Sequence, residues 1–318
     1  MISADALAID VLARDVLARD VLAIDVLAID IGGTKVEAAV VDADGTLRSR
    51  RRRPSPADDG ADMWTAVFEV ADGALSDRPA GSVGPPVIGV GCGGPMTSGG
   101  ALVSPLNIAG WRNEPVAQRL AERYGVPAFV DNDAKALALA EGWRGAAVGH
   151  QNYLAMVVST GVGGGIVLNG SLLDGADGNA GHIGHLVVEP DGRPCACGSR
   201  GCLDAEASGT AIAEITGRRA ADADSAMRRR CGLLVGRAAA SVASLLDLRL
   251  VCVAGSVALG YGAEFFDAAQ AEADSRAQIS FARGVRIVPA GCGDEGPLVG
   301  AAAVGLRGLG GGSYPLVT

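Results

Sequence analysis

Three groups of residues in this chain have the types and spacing to do chemistry. The segment Gly181 to Asp204 holds His185 followed closely by Cys195, Cys197 and Cys202. An imidazole and three thiolates are ligands that zinc favours, and four of them fill a tetrahedral shell with no position left for water. That combination predicts a structural zinc that holds a loop and does no chemistry. The same run carries Gly192, Pro194, Gly198 and Gly201, which is incompatible with an ordinary helix or strand whose cysteines face a core. A disulfide framework fits poorly, because the chain has 7 cysteines, an odd number, and no secretory signal.

The second group is a pair of glycine turns, Ile31-Gly32-Gly33-Thr34 and Ser159-Thr160-Gly161-Val162-Gly163-Gly164-Gly165. Without a Cβ in the way, backbone amides can approach an anion closely. A lone Gly-Gly turn commonly just joins two strands, but two glycine-threonine turns after apolar strands suit a polyphosphate gripped from both sides. Neither has the spacing of a P-loop. Asp30, at the end of its strand beside the first turn, is placed for a hydrated magnesium. The third group is Asp131-Asn132-Asp133. Phosphoryl transfer to an alcohol needs a carboxylate that orients the attacking hydroxyl and takes its proton late, and Asp133 fits that role. Asn132 can donate to and accept from sugar hydroxyls. Taken alone, an Asn-Asp pair ahead of a helix serves equally well as an N-cap.

The elements that must position these residues follow from the apolar runs. Strands are expected over 26–31 and 36–41, with a turn at Asp44-Gly45 and a third strand after it, followed by a helix over 61–75. A strand over 87–90 opens into Gly91-Cys92-Gly93-Gly94-Pro95, and one over 128–130 ends in the Asp-Asn-Asp triplet before a helix over 134–142. A strand over 153–159 runs into the second glycine turn, and one over 250–253 runs into Ala254-Gly255-Ser256. Residues 308–312 read as a loose glycine-rich terminus. Arg50 to Arg53 reads as a solvated strand end or loop and is given no role. Four strands thus stop at glycines or carboxylates, the place where α/β proteins bind ligands.

Composition sets the outer bounds. At 318 residues, 49% of them hydrophobic, the chain can bury two ordinary cores. A net charge of -9 disfavours a broad nucleic-acid surface, and no apolar stretch reaches the roughly 20 residues that span a bilayer, so a cytoplasmic protein is expected. The N-terminus repeats DVLAR and DVLAI with a period that matches neither helix nor strand. Residues 1–25 are therefore expected to be a repetitive tail, disordered or belonging to a misassigned start.

Together the segments resemble the sugar kinases of the ROK family (repressors, open reading frames and kinases). DIGGTK, Asp30 to Lys35, looks like the family's first phosphate motif, and STGVGGGIV looks like its second. DNDAKALALAE resembles its catalytic segment, and GHIGH with CACGSRGC its zinc signature. The resemblance implies an α/β fold of the actin-like ATPase (ribonuclease H-like) type, with two domains around a central cleft. The expected division is a small domain of 26–131 plus 298–318 and a large domain of 132–297, with the zinc loop at 181–204 and the last helix near 297–309.

By the same resemblance, Asp133 is the catalytic base, and Gly94, Asn107 and Asn132 surround the sugar. His185 is both zinc ligand and sugar contact. Asp30, Gly32, Gly33, Thr34, Lys35, Thr160 and Gly161 serve the phosphates and their magnesium, and Gly255 lines the adenosine side. Three positions depart from the family pattern. His182 and Asp204 stand where it has sugar-holding glutamates, and Lys135 stands where it has asparagine; Glu206 is near enough to compensate. The implied activity is transfer of the ATP γ-phosphoryl group to the 6-hydroxyl of a hexose, glucose first. The alternatives are an amino-sugar or N-acetylhexosamine kinase, such as one for N-acetylmannosamine or N-acetylglucosamine, and a non-catalytic sugar sensor. No DNA-reading segment precedes the kinase motifs, which disfavours a repressor, and the family implies a homodimer or larger homo-oligomer.

Overall fold

A strand buried on both faces needs a continuous apolar run, and Val26–Ile31 (β1) is buried along its whole length. In the computed structural model, which describes residues 24–56, 60–77 and 84–311, β1 is the centre of a five-stranded sheet. Lys35–Val41 (β2) and Leu47–Pro54 (β3) follow it as an antiparallel meander, while Ile88–Cys92 (β4) and Ala128–Asn132 (β5) add parallel strands on its other side. The order is β3-β2-β1-β4-β5. Gly60–Ser76 (α1) covers the meander with Trp64, Val67, Val70 and Ala71 buried, and Val116–Tyr124 (α2) connects β4 to β5. The pentapeptide repeat lies, up to residue 23, outside the described residues.

The second sheet repeats the plan. Tyr153–Val158 (β6), Val162–Leu168 (β7) and Ser171–Leu172 (β8) form an antiparallel meander, and Leu250–Ala254 (β9) and Arg286–Pro289 (β10) extend it in parallel, in the order β10-β9-β6-β7-β8. The chain divides into one unit that runs to Ala136 and resumes at Pro297, and another of Leu137–Gly296. The division falls inside the helix Asp133–Arg144 (α3) and at the start of Gly296–Leu309 (α9). Between them come Leu203–Ala207 (α4), Gly209–Thr216 (α5), Ser225–Leu246 (α6), Ser256–Tyr261 (α7) and Ala263–Arg276 (α8). Helices α6 and α8 pack closely because Gly232 and Gly236 leave room for the backbone at Phe265 and Ala269. Among the described residues, no helix is long and apolar enough to cross a membrane.

Arg50 to Arg53 form the partly exposed last part of β3, in keeping with the solvated strand end expected of them. Two sequence expectations change here. Gly163, Gly164 and Gly165 belong to strand β7, so the second glycine turn is confined to Ser159, Thr160 and Gly161. Gly308 lies inside α9 with its Cα against the Phe129 ring, where a Cβ would collide; of the expected loose terminus, only Gly312 lies outside the described residues.

Candidate active site

In the first unit the carboxyl ends of β1, β4 and β5 are level, since Ile31 pairs with Cys92 and Cys92 with Asn132. The loops that leave these strands therefore begin side by side: Gly32-Gly33-Thr34, Gly93-Gly94 and Asp133. Asp30 and Asp133 flank Gly91, whose absent Cβ would lie 3.7 Å from Asp30 Oδ1 and 3.9 Å from the Asp133 Cα. Asn107 closes the group. A Cβ on Gly33 would lie 2.7 Å from the Asn107 carbonyl oxygen, and one on Gly93 would lie 3.3 Å from its Oδ1. The loop presenting Asn107 is fixed from below by buried Ile108 and Trp111, and Trp111 stacks on Trp64 with centroids 5.0 Å apart. Asn107 itself is exposed.

The capping role expected of the triplet and its place in the site coexist. Helix α3 starts at Asp133, and the Ala134 amide donates to Asn132 Oδ1 at 3.0 Å and to Asp133 Oδ1 at 2.8 Å. With its oxygen on that amide, Asn132 turns Nδ2 toward Gly94, at 3.5 Å from where a Cβ would stand. Lys135 is buried, with Nζ 2.8 Å from Asp131 Oδ1, and Arg307 of α9 lies 3.5 Å from Asp131 Oδ2. The departure at Lys135 is thus part of an internal ion pair under the site.

Burial pushes Asp30 from the ordinary 3.8 up to about 7; Lys35 opposes the rise and Asp133 adds to it. Lys35 Nζ stands 4.0 Å from Asp30 and also pairs with Glu37. Glu37, to which the sequence analysis assigned no role, is fully buried. Arg50 reaches its Oε2 at 2.6 Å and Arg52 at 2.8 Å. A buried carboxylate needs such partners, and a signal for them existed: Glu37 interrupts an apolar strand, and the next strand of the meander is the one rich in arginine. In register, Glu37 sits opposite Arg52.

In the second unit the ends of β6 and β9 also lie together. Ser159 Oγ and Ser256 Oγ are 3.0 Å apart, and Gly255, at φ 99°, passes so close to Val158 that a Cβ would strike its backbone. Thr160, Gly161 and Gly255 thus share one sheet edge. The segment bearing His182 lies directly on β7: a Cβ on Gly181 would strike the Gly164 carbonyl, and one on Gly184 the Val162 carbonyl. The glycines of β7 and of GHIGH let two backbones touch. His182 and His185 are exposed, with ring centroids 6.1 Å apart.

His185, Cys195, Cys197 and Cys202 bring one ligand atom each to within 4.8 Å of one another. Cys195 Sγ is 3.7 Å from His185 Nδ1, and Cys197 Sγ is 3.7 Å from Cys202 Sγ. Metal–sulfur bonds of ~2.3 Å in a tetrahedron separate two sulfurs by about 3.8 Å, which the 3.7 Å between Cys197 Sγ and Cys202 Sγ matches. Glu206, expected near the sugar residues, is buried and holds this loop instead. It accepts from the Arg193 amide at 2.5 Å and from Arg230 Nη2 at 2.6 Å. Asp204 Oδ1 accepts from the Val162 amide at 2.8 Å.

The chain is similar in sequence and in fold to known proteins. A glucokinase of Thermotoga maritima is 38% identical over 188 residues, 57% of this chain and 56% of its own length. The chain's match thus spans little more than half of that relative. An N-acetylmannosamine kinase of Citrobacter koseri is 35% identical over 247 residues, covering 73% of this chain and 83% of its own. Among solved structures, a ROK family glucokinase from Streptomyces griseus in complex with glucose and AMPPNP superposes with a TM-score of 0.75 at 29% identity, covering 89% of this chain and 99% of that one. The two-sheet plan is accordingly that of the actin-like ATPases. The ROK family model matches residues 26–307, and the chain belongs to the ROK family.

Proposed function

We propose that the protein is an ATP-dependent hexose kinase that phosphorylates glucose at its 6-hydroxyl. The observation that carries this reading is the placement of Asp133 and Asp30 on either side of Gly91, ringed by Asn132, Asn107 and Gly94. Asp133 orients the sugar hydroxyl and takes its proton as the new oxygen–phosphorus bond forms and the bond to the leaving ADP breaks. Asn132 and Asn107 hold neighbouring hydroxyls, joined by His182 and His185. The amides of Gly32 and Gly33 with Thr34 and Lys35 receive phosphate oxygens, as do Thr160 and Gly161, and Gly255 lines the adenosine side. Asp30 would hold magnesium directly or through water, and the ion would neutralise charge on the transferring group.

The donor set and 3.7 Å spacings support one structural zinc on His185, Cys195, Cys197 and Cys202. His185 would hold the metal through Nδ1, the nitrogen beside Cys195 Sγ, and Nε2 would then be left for a sugar hydroxyl. Assembly as a homodimer or larger homo-oligomer is proposed on the family resemblance, and a cytoplasmic location on the net charge of -9 and the want of a long apolar stretch. A second acceptor, N-acetylmannosamine, is favoured by the Citrobacter relative, whose alignment extends over more of the chain than that of the Thermotoga glucokinase. A coupled assay with magnesium, several phosphoryl donors and a panel of hexoses and N-acetylhexosamines tests the proposal. Turnover of glucose with ATP supports it, turnover confined to N-acetylmannosamine moves the assignment, and binding of a sugar with no turnover of any makes the protein a sensor.

A further inference from the structure

Helix α4 touches both the metal cluster and the second glycine turn. Cys202, one of the four cluster residues, immediately precedes it. Asp204, in its first turn, sends Oδ1 to the Val162 amide at 2.8 Å. Gly161 leaves that contact open, since a Cβ there would stand 3.3 Å from the same oxygen. The chain just past α4 completes the grip. The Gly209 amide donates to the Ser159 carbonyl at 2.7 Å, and Thr210 donates to the Thr160 carbonyl through its amide at 3.2 Å and its hydroxyl at 3.1 Å. Glu206 of the same helix is anchored to the Arg193 amide and to Arg230 of α6. The turn of Ser159, Thr160 and Gly161 is therefore held at both ends by a segment that begins at a metal ligand.

We propose that Asp204 is a positioning residue for the nucleotide: its carboxylate sets the Thr160-Gly161 turn, and α4 carries the rigidity of the metal cluster from Cys202 to the phosphates. The proposal rests on the kinase reading above. Aspartate is a methylene shorter than glutamate, which keeps the carboxylate close to α4 and over the turn. An oxygen accepting a backbone amide is committed there and is not the one that meets a sugar hydroxyl. Hydrogen bonds to a charged group are stronger than neutral ones, so this single contact can decide whether the turn's amides are in place before a phosphate arrives.

Calorimetric titration of the full chain with a non-hydrolysable ATP analogue and magnesium, and separately with the sugar that it turns over, tests the assignment. Asp204→Ala should weaken analogue binding about tenfold, the loss of one charged hydrogen bond, while sugar affinity stays within about twofold. Asp204→Asn keeps an oxygen in the same place to accept from Val162 and should stay within about threefold of wild type for the analogue. Steady-state kinetics should repeat the split, with KM for ATP rising in the alanine variant more than KM for sugar. Should the alanine variant fail to fold, zinc-stripped wild type provides the second measurement: its analogue affinity should fall, and should return when zinc is restored. Unchanged analogue affinity in Asp204→Ala, a loss confined to the sugar, or equal damage from alanine and asparagine would overturn the assignment. Wild type that turns over sugar but responds to the variants in one of these ways sinks only this assignment, whereas wild type that binds no analogue sinks the kinase reading with it.

Discussion

Replacing Asp30 by asparagine should make the protein more stable above neutral pH and much less active. Asp30 is buried beside Asp133, and its carboxyl is pushed from the ordinary 3.8 up to about 7, mainly by burial. Between those values the folded chain keeps a proton that the unfolded chain has released. Stability therefore falls as pH rises through that interval. At roughly 1.36 kcal/mol per tenfold change in proton affinity, the ionised form costs on the order of 4 kcal/mol once the pH is above the folded midpoint. Asparagine removes that cost but gives up the attraction of Lys35, 4.0 Å away, which is already counted in the raised midpoint. A gain of about 2–4 kcal/mol near pH 8 remains, on the order of 5–10 °C in Tm. Below about pH 4, where aspartate is neutral in both states, the two proteins should converge. The assay is thermal unfolding of both proteins from about pH 4 to about pH 9 without nucleotide or magnesium, read as the difference between the curves. Two curves that run parallel, or a variant that is the less stable one near pH 8, would refute the reasoning. Turnover should fall by about a hundredfold or more if Asp30 serves the magnesium.

Asp133→Asn should lower kcat by about a thousandfold or more while calorimetry still detects sugar binding within a few-fold of wild type; turnover near the wild-type rate removes Asp133 from the chemistry. Metal analysis of freshly purified, folded protein should find about one zinc per chain, and chelation should lower Tm; a metal-free protein of unchanged stability counts against the cluster. Gly184→Ala should cost about 2 kcal/mol or more, because its Cβ would meet the Val162 carbonyl; an unchanged Tm would mean that the GHIGH segment does not rest on β7.

Much of the site was legible in the sequence because its signals are local. β1 carries Asp30 as its last residue but one and ends at the glycines, and the His185-cysteine cluster is announced by ligand types packed into one short loop. What stayed hidden depends on partners distant in sequence. Glu37 and the arginines explain one another only once the meander register puts them face to face. The run Gly163-Gly164-Gly165 looks like a phosphate loop because a missing Cβ is what an anion needs. It is also what a second backbone needs, and in β7 the partner is the Gly181–Gly184 backbone, not a ligand. The same ambiguity governs Asp204. As a residue type it is a carboxylate in a sugar-kinase motif. As a neighbour of the Val162 amide it is a strut beneath the turn of Ser159, Thr160 and Gly161. Chemistry that one side chain performs alone can be read from its type, while chemistry that consists in holding another group still requires knowing which group it touches.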